Sequence, residues 1–342
     1  MLLSPLLEKW TQINNPNNMK KTLILTVAGA LALGLASCSQ DAPKGDDGNE
    51  GNVVLKVTRP GDLGTRVFGD GKAAWQLDYA IYEAESQHIV STGEAIFENG
   101  ALTTTVSLTL GNGKNYKIAF LAHLNKADQA YVLDAENMLL KVNYDKMSNY
   151  NVTDNDAFFK LHETGVIKGA VNQTVELIRP MAQVNWGTSD LDTDAVLTMY
   201  NDGTGRNNLG LKTGVTIEGV YDSYNFWTNT FGNEVTATFP AAARPDSAEQ
   251  PFPHEPATYH YLSMGYVLVP SESQTLVTAT LTPQDARNVT YTPTLSTFTP
   301  VQGNYRTNIY GTLLTATGQF TVEKVPAFTD DNNVTPGQNP QP

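Results

Sequence analysis

Asn52-Val-Val-Leu-Lys-Val-Thr58 is the stretch whose pattern decides the fold class. In an extended chain Val53, Leu55 and Val57 fall on one face while Lys56 and Thr58 fall on the other, the period-two alternation of a half-buried strand. The same period recurs onward in short runs rich in Val, Ile, Thr and Tyr, broken by clusters of Gly, Asn and Asp. Trp75–Glu83, Leu102–Leu110 and Tyr116–Leu124 read as strands, with Gly111-Asn112-Gly113-Lys114 as the turn between the last two. Asp154–Leu161 reads as a short helix or turn capped by Asp154. From Val175 to Trp186 the apolar residues occupy odd positions before Arg179-Pro180 and even positions after it. A bulge at the proline, which cannot donate to a ladder, accounts for that switch. Further strands read at Val215–Val220, Glu234–Phe239, Tyr259–Val269, Gln274–Leu281 and Asn304–Leu314. The expected fold is all-β: two tandem β-sandwiches with Greek-key connections, over residues 52–170 and 171–328. No internal repeat of solenoid or propeller period is present.

The ends carry a different message. Lys20 and Lys21 precede an apolar run from Leu23 to Leu35, the charged and apolar regions of a secretory signal. That run is 13 residues long, short of the about 20 that a membrane-spanning helix needs. Leu35-Ala-Ser-Cys38 resembles a lipobox, so Cys38, the single cysteine, is the expected site of lipid attachment, and the membrane is reached through lipid only. Residues 1–38 read as leader and signal peptide, with Met19 as the expected true start. Residues 39–51 form a polar tract with too little apolar surface to offset chain entropy, hence a flexible tether. Residues 329–342, rich in Asp, Asn, Pro and Gln, read as a disordered tail. The expected location is the outer membrane and cell surface.

Composition narrows the function. One cysteine allows no internal disulfide and no thiolate-built metal site. With 22 basic against 35 acidic residues the net charge is −13, which repels phosphate backbones and disfavours nucleic-acid binding. The chain contains no Gly-x-Ser-x-Gly elbow, no His-Glu-x-x-His, no phosphate-binding glycine loop and no EF-hand spacing. Its five histidines, His88, His123, His162, His254 and His260, are scattered. Asn201-Asp-Gly-Thr-Gly205 has calcium-loop composition but reads as a hairpin turn. No catalytic residue, metal or cofactor is assigned.

Several blocks, in order, resemble the fimbrillin-like lipoproteins of Bacteroidetes: Thr65-Arg-Val-Phe-Gly-Asp-Gly, Leu77-Asp-Tyr-Ala-Ile-Tyr, Arg179-Pro-Met-Ala-Gln-Val-Asn, Tyr261-Leu-Ser-Met-Gly-Tyr-Val-Leu-Val-Pro and Asn304-Tyr-Arg-Thr-Asn-Ile-Tyr-Gly-Thr-Leu-Leu-Thr. The resemblance covers residues 52–328 and implies two transthyretin-like β-sandwich domains and a role as a stalk, tip or anchor subunit of a type V pilus. It further implies that a trypsin-like surface protease cuts after an arginine beyond the first strand, and that a neighbouring fimbrial subunit's strand then fills the vacated groove. The loop Arg59-Pro-Gly-Asp-Leu-Gly-Thr-Arg66 offers two arginines, both expected to be exposed. Arg59 precedes Pro60, a bond such proteases cut poorly, so the implied processing site is Arg66 with Val67 as the new N-terminus. An ordinary surface arginine accounts for Arg66 as well.

The displaced strand would carry away Val53, Leu55 and Val57. At the other end Phe320, Val322 and Val325 form either a donor strand or the closing strand of the chain's own second sandwich. Asp246-Ser247-Ala248 resembles a Bacteroidetes O-glycosylation site. The alternative function is a glycan-binding outer-membrane lipoprotein that stays anchored and monomeric. Its sugar platform would draw on Tyr221, Tyr224, Phe226 and Trp227, which serve equally as core. In either case the receptor is a host or bacterial surface.

Overall fold

The computed structural model describes residues 50–60, 76–98, 101–124, 129–147, 155–202, 210–243, 259–290, 294–315 and 319–326. Cys38, Arg66, Val67, Ser247, His254 and the 329–342 tail lie outside these residues.

The opening alternation becomes β1 (Glu50–Thr58), the middle strand of a sheet ordered β4 (Thr103–Gly111), β1, β9 (Val171–Glu176). It begins two residues inside the expected tether, because Glu50 and Gly51 pair with Gly111 and Leu110. Facing this sheet is a second one, ordered β3 (Ile89–Ile96), β2 (Gln76–Glu83), β5 (Asn115–His123), β8 (Ala157–Val166). Val53, Leu55, Val57, Val106 and Val175 from the first sheet share one buried cluster with Leu77, Ile81, Ile118, Phe120 and Phe158 from the second. The β4–β5 connection turns at Gly113, whose φ of +79° explains the glycine there.

The second sheet is buried on its other face too. Ala80, Tyr82, Ala119, Leu121, Ala157 and Phe159 join a larger cluster with Trp186, Val220, Phe226 and Leu268. Double burial is why β5 reads Ile118-Ala-Phe-Leu-Ala122 without a polar break.

Beyond residue 180 the strands run β17 (Leu295–Val301), β16 (Thr275–Gln284), β11 (Lys212–Tyr221), β15 (His260–Leu268), β10 (Met181–Thr188), β18 (Tyr305–Thr312), β19 (Gln319–Pro326), with β14 (Glu234–Ala243) also on β11. β11 touches β15 through one pair, Tyr221 with Leu268. A register shift between Glu218 and Val220 lies just before that pair. A small sheet, ordered β13 (Thr230–Phe231), β12 (Ser223–Asn225), β7 (Leu139–Val142), β6 (Tyr131–Asp134), draws strands from both sides of residue 170. The described helix α1 (Asp194–Met199) is capped by Thr193, whose hydroxyl accepts from the Val196 amide.

Three expectations change. Residues 157–161, expected in a short helix or turn, belong to β8 (Ala157–Val166), with Phe159 opposite Leu121 and Ala157 opposite His123, while Asp154 lies outside the described residues. Burial of Ala157, Phe158 and Phe159 against β5 outweighs the local capping signal. The phase switch at Arg179-Pro180 is a passage between sheets and not a bulge in one strand, since β9 ends at Glu176 and β10 begins at Met181. Residues 171–176, expected at the head of the second domain, pair with β1 instead.

Burial on both faces has a measurable consequence. Phe120→Ala and Leu121→Ala are expected to destabilise the protein by about 2–5 kcal/mol each in urea unfolding. A strand with one solvated face would show that loss at only one of the two.

Candidate functional site: the seat of the first strand

β1 is antiparallel to β4, with Leu55 opposite Val106, and parallel to β9, with Val57 opposite Val175. Val53, Leu55 and Val57 are each 0% exposed, while Asn52 and Lys56 face solvent. Burying three such side chains contributes about 5–9 kcal/mol, comparable with the whole stability of a typical domain, about 5–15 kcal/mol. Neighbouring strands lie about 4.8 Å apart, so removing β1 would leave β4 and β9 about 10 Å apart, each with an unpaired row of backbone groups.

The strand's ends are as specific as its middle. Gly51 is buried where a Cβ would sit 2.4 Å from the Gly169 carbonyl oxygen and 2.6 Å from Ile167. At the opposite end Arg59 is 1% exposed, which corrects the expectation that both loop arginines face solvent. Its backbone N–H donates to the Leu102 carbonyl at 2.9 Å, and its Nη2 donates to the Ala101 carbonyl at 2.6 Å. The guanidinium lies 4.5 Å from the centroid of the Phe97 ring.

Beside it sits a buried ion pair. Arg179 Nε and Nη2 donate to the two Asp156 oxygens, each at 2.8 Å, and the Arg179 guanidinium lies 4.5 Å from the Phe158 centroid. Burial pushes the Asp156 carboxyl upward, against the pull of Arg179, of the Ala157 amide and of Arg59. Burial, and then the Asp156 charge, raises the Tyr131 and Tyr266 hydroxyls. The pattern of Val53, Leu55 and Val57 revealed the strand, whereas Gly51 and Arg59 were missed. Their odd numbering, continuous with 53, 55 and 57, was the available signal.

Topology sets how β1 is tethered. Its neighbours are β4 and β9, while β2, next in sequence, lies in the facing sheet. β1 and β2 are therefore not a hairpin pair, and residues 59–75 join strands of two different sheets. They are the covalent link between β1 and everything C-terminal to it.

β19 pairs with β18 from Gln319 opposite Thr312 to Pro326 opposite Tyr305, so it closes the chain's own sheet. Phe320 and Val322 pack against the larger core cluster, and the Val325 backbone is opposite Arg306. Those expected site residues that are described thus fall in two places: the first strand, and a last strand in a different sheet.

Of the four candidate sugar-platform rings, Phe226 is buried and Tyr221 stacks on Phe231 at 4.9 Å. Trp227 is covered by Lys117 at 4.7 Å. Tyr224 alone of the four borders a cleft of about 230 Å³, which it shares with Phe159, Phe231, Asn229, Ser271 and Glu272. Its hydroxyl donates to Asn229 Oδ1 at 2.9 Å. Among the described residues no group of three His, Cys, Asp or Glu side chains is placed to hold a metal.

The model of a family of unknown function, DUF6562, matches residues 45–338, and the chain belongs to that family. Among curated proteins none matches it. The chain is similar in structure to a candidate adhesin from Bacteroides thetaiotaomicron, at 10% identity over 82% of this chain and 98% of that one, with a TM-score of 0.45. It is also similar to the tip fimbrial protein Mfa3 from Porphyromonas gingivalis, C-terminally truncated, at 11% identity over 80% and 98%, with a TM-score of 0.41. A fimbrial assembly protein from Parabacteroides distasonis matches at 13% identity over 80% and 94%, with a TM-score of 0.39.

Three substitutions probe the seat. Leu55→Ala is expected to cost about 2–5 kcal/mol in chemical unfolding, whereas its exposed neighbour Lys56→Ala should stay within about 0.5 kcal/mol of the parent. Asp156→Asn strands the buried Arg179 guanidinium, and the expected loss is about 3–5 kcal/mol by the same measurement.

Proposed function

We propose that this chain is a surface-delivered fimbrial adhesion subunit of the type V pilus kind, in a tip or accessory position, whose first strand is a removable placeholder. The observation that carries the reading is that β1 occupies the middle of its sheet yet is joined to the rest of the fold by one crossover loop. A central strand held that way can leave without unthreading the chain, and its departure opens a slot that only another strand can fill.

In this reading the lipid on Cys38 delivers the precursor to the outer membrane. A trypsin-like surface protease then cuts after Arg66, and lipid, tether and β1 depart together from a mature chain beginning at Val67. Burial of Arg59 and the following Pro60 leave Arg66 as the better substrate of the two. Because β19 closes its own sheet, a terminal or accessory place is favoured over a repeating link that gives up its last strand. Other fimbrial subunits are the partners through strand exchange, and the subunit contacts its host or bacterial receptor by surface recognition, without catalysis or cofactor.

One observation favours a second reading: the Tyr224 cleft, where aromatic rings meet Asn229, Ser271 and Glu272, has the mixed lining that a sugar would use. There the loop stays whole and the protein remains an anchored monomer.

Mass spectrometry of the N-terminus of protein sheared from cells, with and without the protease, separates the two. A start at Val67, with ladders that resist mild SDS and vanish in Arg66→Ala, is the expected result. A monomer that keeps a lipidated Cys38 and binds polysaccharide would sink the pilus reading.

A further inference from the structure

The inward face of β1 does not end at Val57. Positions 51, 53, 55, 57 and 59 are all buried, and they read Gly, Val, Leu, Val, Arg. Each meets a different wall. Gly51 lies against the Gly169 carbonyl, Ile167 and the Asn112 side chain, and has no room for a Cβ. The three middle residues fill apolar pockets of the smaller core cluster. Arg59 lies over Phe97, donates to the Ala101 carbonyl and adds its charge to those acting on Asp156.

Every one of those walls belongs to residues beyond the crossover loop. When the loop is cut they stay, and Gly51 and Arg59 leave with the strand. The vacated slot therefore has unlike ends: one admits only glycine, and the other presents an aromatic face and a carbonyl acceptor in a place shut off from water.

We propose that this slot selects an incoming strand of the form Gly-x-apolar-x-apolar-x-apolar-x-Arg from a second, different polypeptide, inserted in the direction that β1 has. This deepens the strand-replacement reading and rests on it. Direction follows because a reversed strand would put arginine where there is no space and glycine against Phe97. Register follows because a two-residue slip forces a side chain against the Gly169 carbonyl, and a one-residue slip turns the apolar face outward. Arginine suits the far pocket better than lysine, since its flat guanidinium can stack on Phe97 while its edge donates to Ala101.

The chain's own last strand is a poor match. With Phe320 and Val322 in the first two apolar pockets, Lys324 falls into the third and Pro326 into the arginine pocket. Shifted by two, Gly318 leaves an apolar pocket empty and Lys324 replaces the arginine. A second copy offering β19 is thus disfavoured against a distinct subunit carrying the full pattern.

The test uses the full chain with a unique protease site placed within residues 61–75. After cutting, the protein is unfolded in urea and refolded by dilution with a fluorescent peptide of residues 50–60, and binding is read by anisotropy. The native peptide is expected to bind with the original register. Arg59→Met in the peptide should weaken binding by about 10- to 100-fold, Arg59→Lys by less, and Gly51→Val by at least about tenfold. A peptide of residues 316–326 should bind more weakly than the native one. Equal affinity of the native and Arg59→Met peptides would overturn the selection rule and leave strand replacement intact. Failure of every peptide to bind would overturn strand replacement and this inference with it.

Discussion

The structure depends on one placement, β1 as the middle strand between β4 and β9. Its two edges satisfy the backbone groups of both neighbours, and its inward side chains complete the smaller core cluster. A central strand is normally secured by short connections on both sides. Here the next strand in sequence lies in the facing sheet. Burial of Val53, Leu55 and Val57 and hydrogen bonding to β4 and β9 hold it in place.

The rest of the core is built largely without this strand. The larger core cluster, with Trp186, Tyr261, Leu281 and Ile309, contains no residue of β1. It reaches into the first half through the outer face of the β2–β5–β8 sheet and through the small sheet shared by β7 and β12. The β2–β5–β8 sheet is therefore packed on both faces. The buried Asp156–Arg179 pair stands near the end of β1, with Arg59 adding its charge to those acting on Asp156. Such a pair is costly to desolvate and adds little net stability. What it adds is charge next to the Arg59 end of an otherwise apolar face.

Much of this was legible in the sequence. Strict alternation identified β1, β4, β11, β14 and β16, each of which keeps a polar residue on its outward side. Residues 157–161 were misread because Asp154 offers a local cap, while the force that makes β8 is pairing with β5 more than thirty residues away in the chain. β6, β7, β12 and β13 are two to four residues long and were invisible for a related reason, since a strand that short is specified by its partner. Arg59 was assigned to an exposed loop because charge usually signals exposure, and nothing local reveals that Phe97 and the Ala101 carbonyl await it.

The sequence by itself determined the all-β class and the period-two faces of the longer strands. These are properties of adjacent residues, set by the two-residue repeat of an extended backbone. Tertiary structure alone decided that β1 is central and parallel to β9, that β5 is buried on both faces, that Arg59 and Gly51 line the ends of one slot, and that β19 closes its own sheet. Each of those joins residues far apart along the chain. Side-chain alternation says which face of a strand is buried; only the packed sheet says which strand lies beside it.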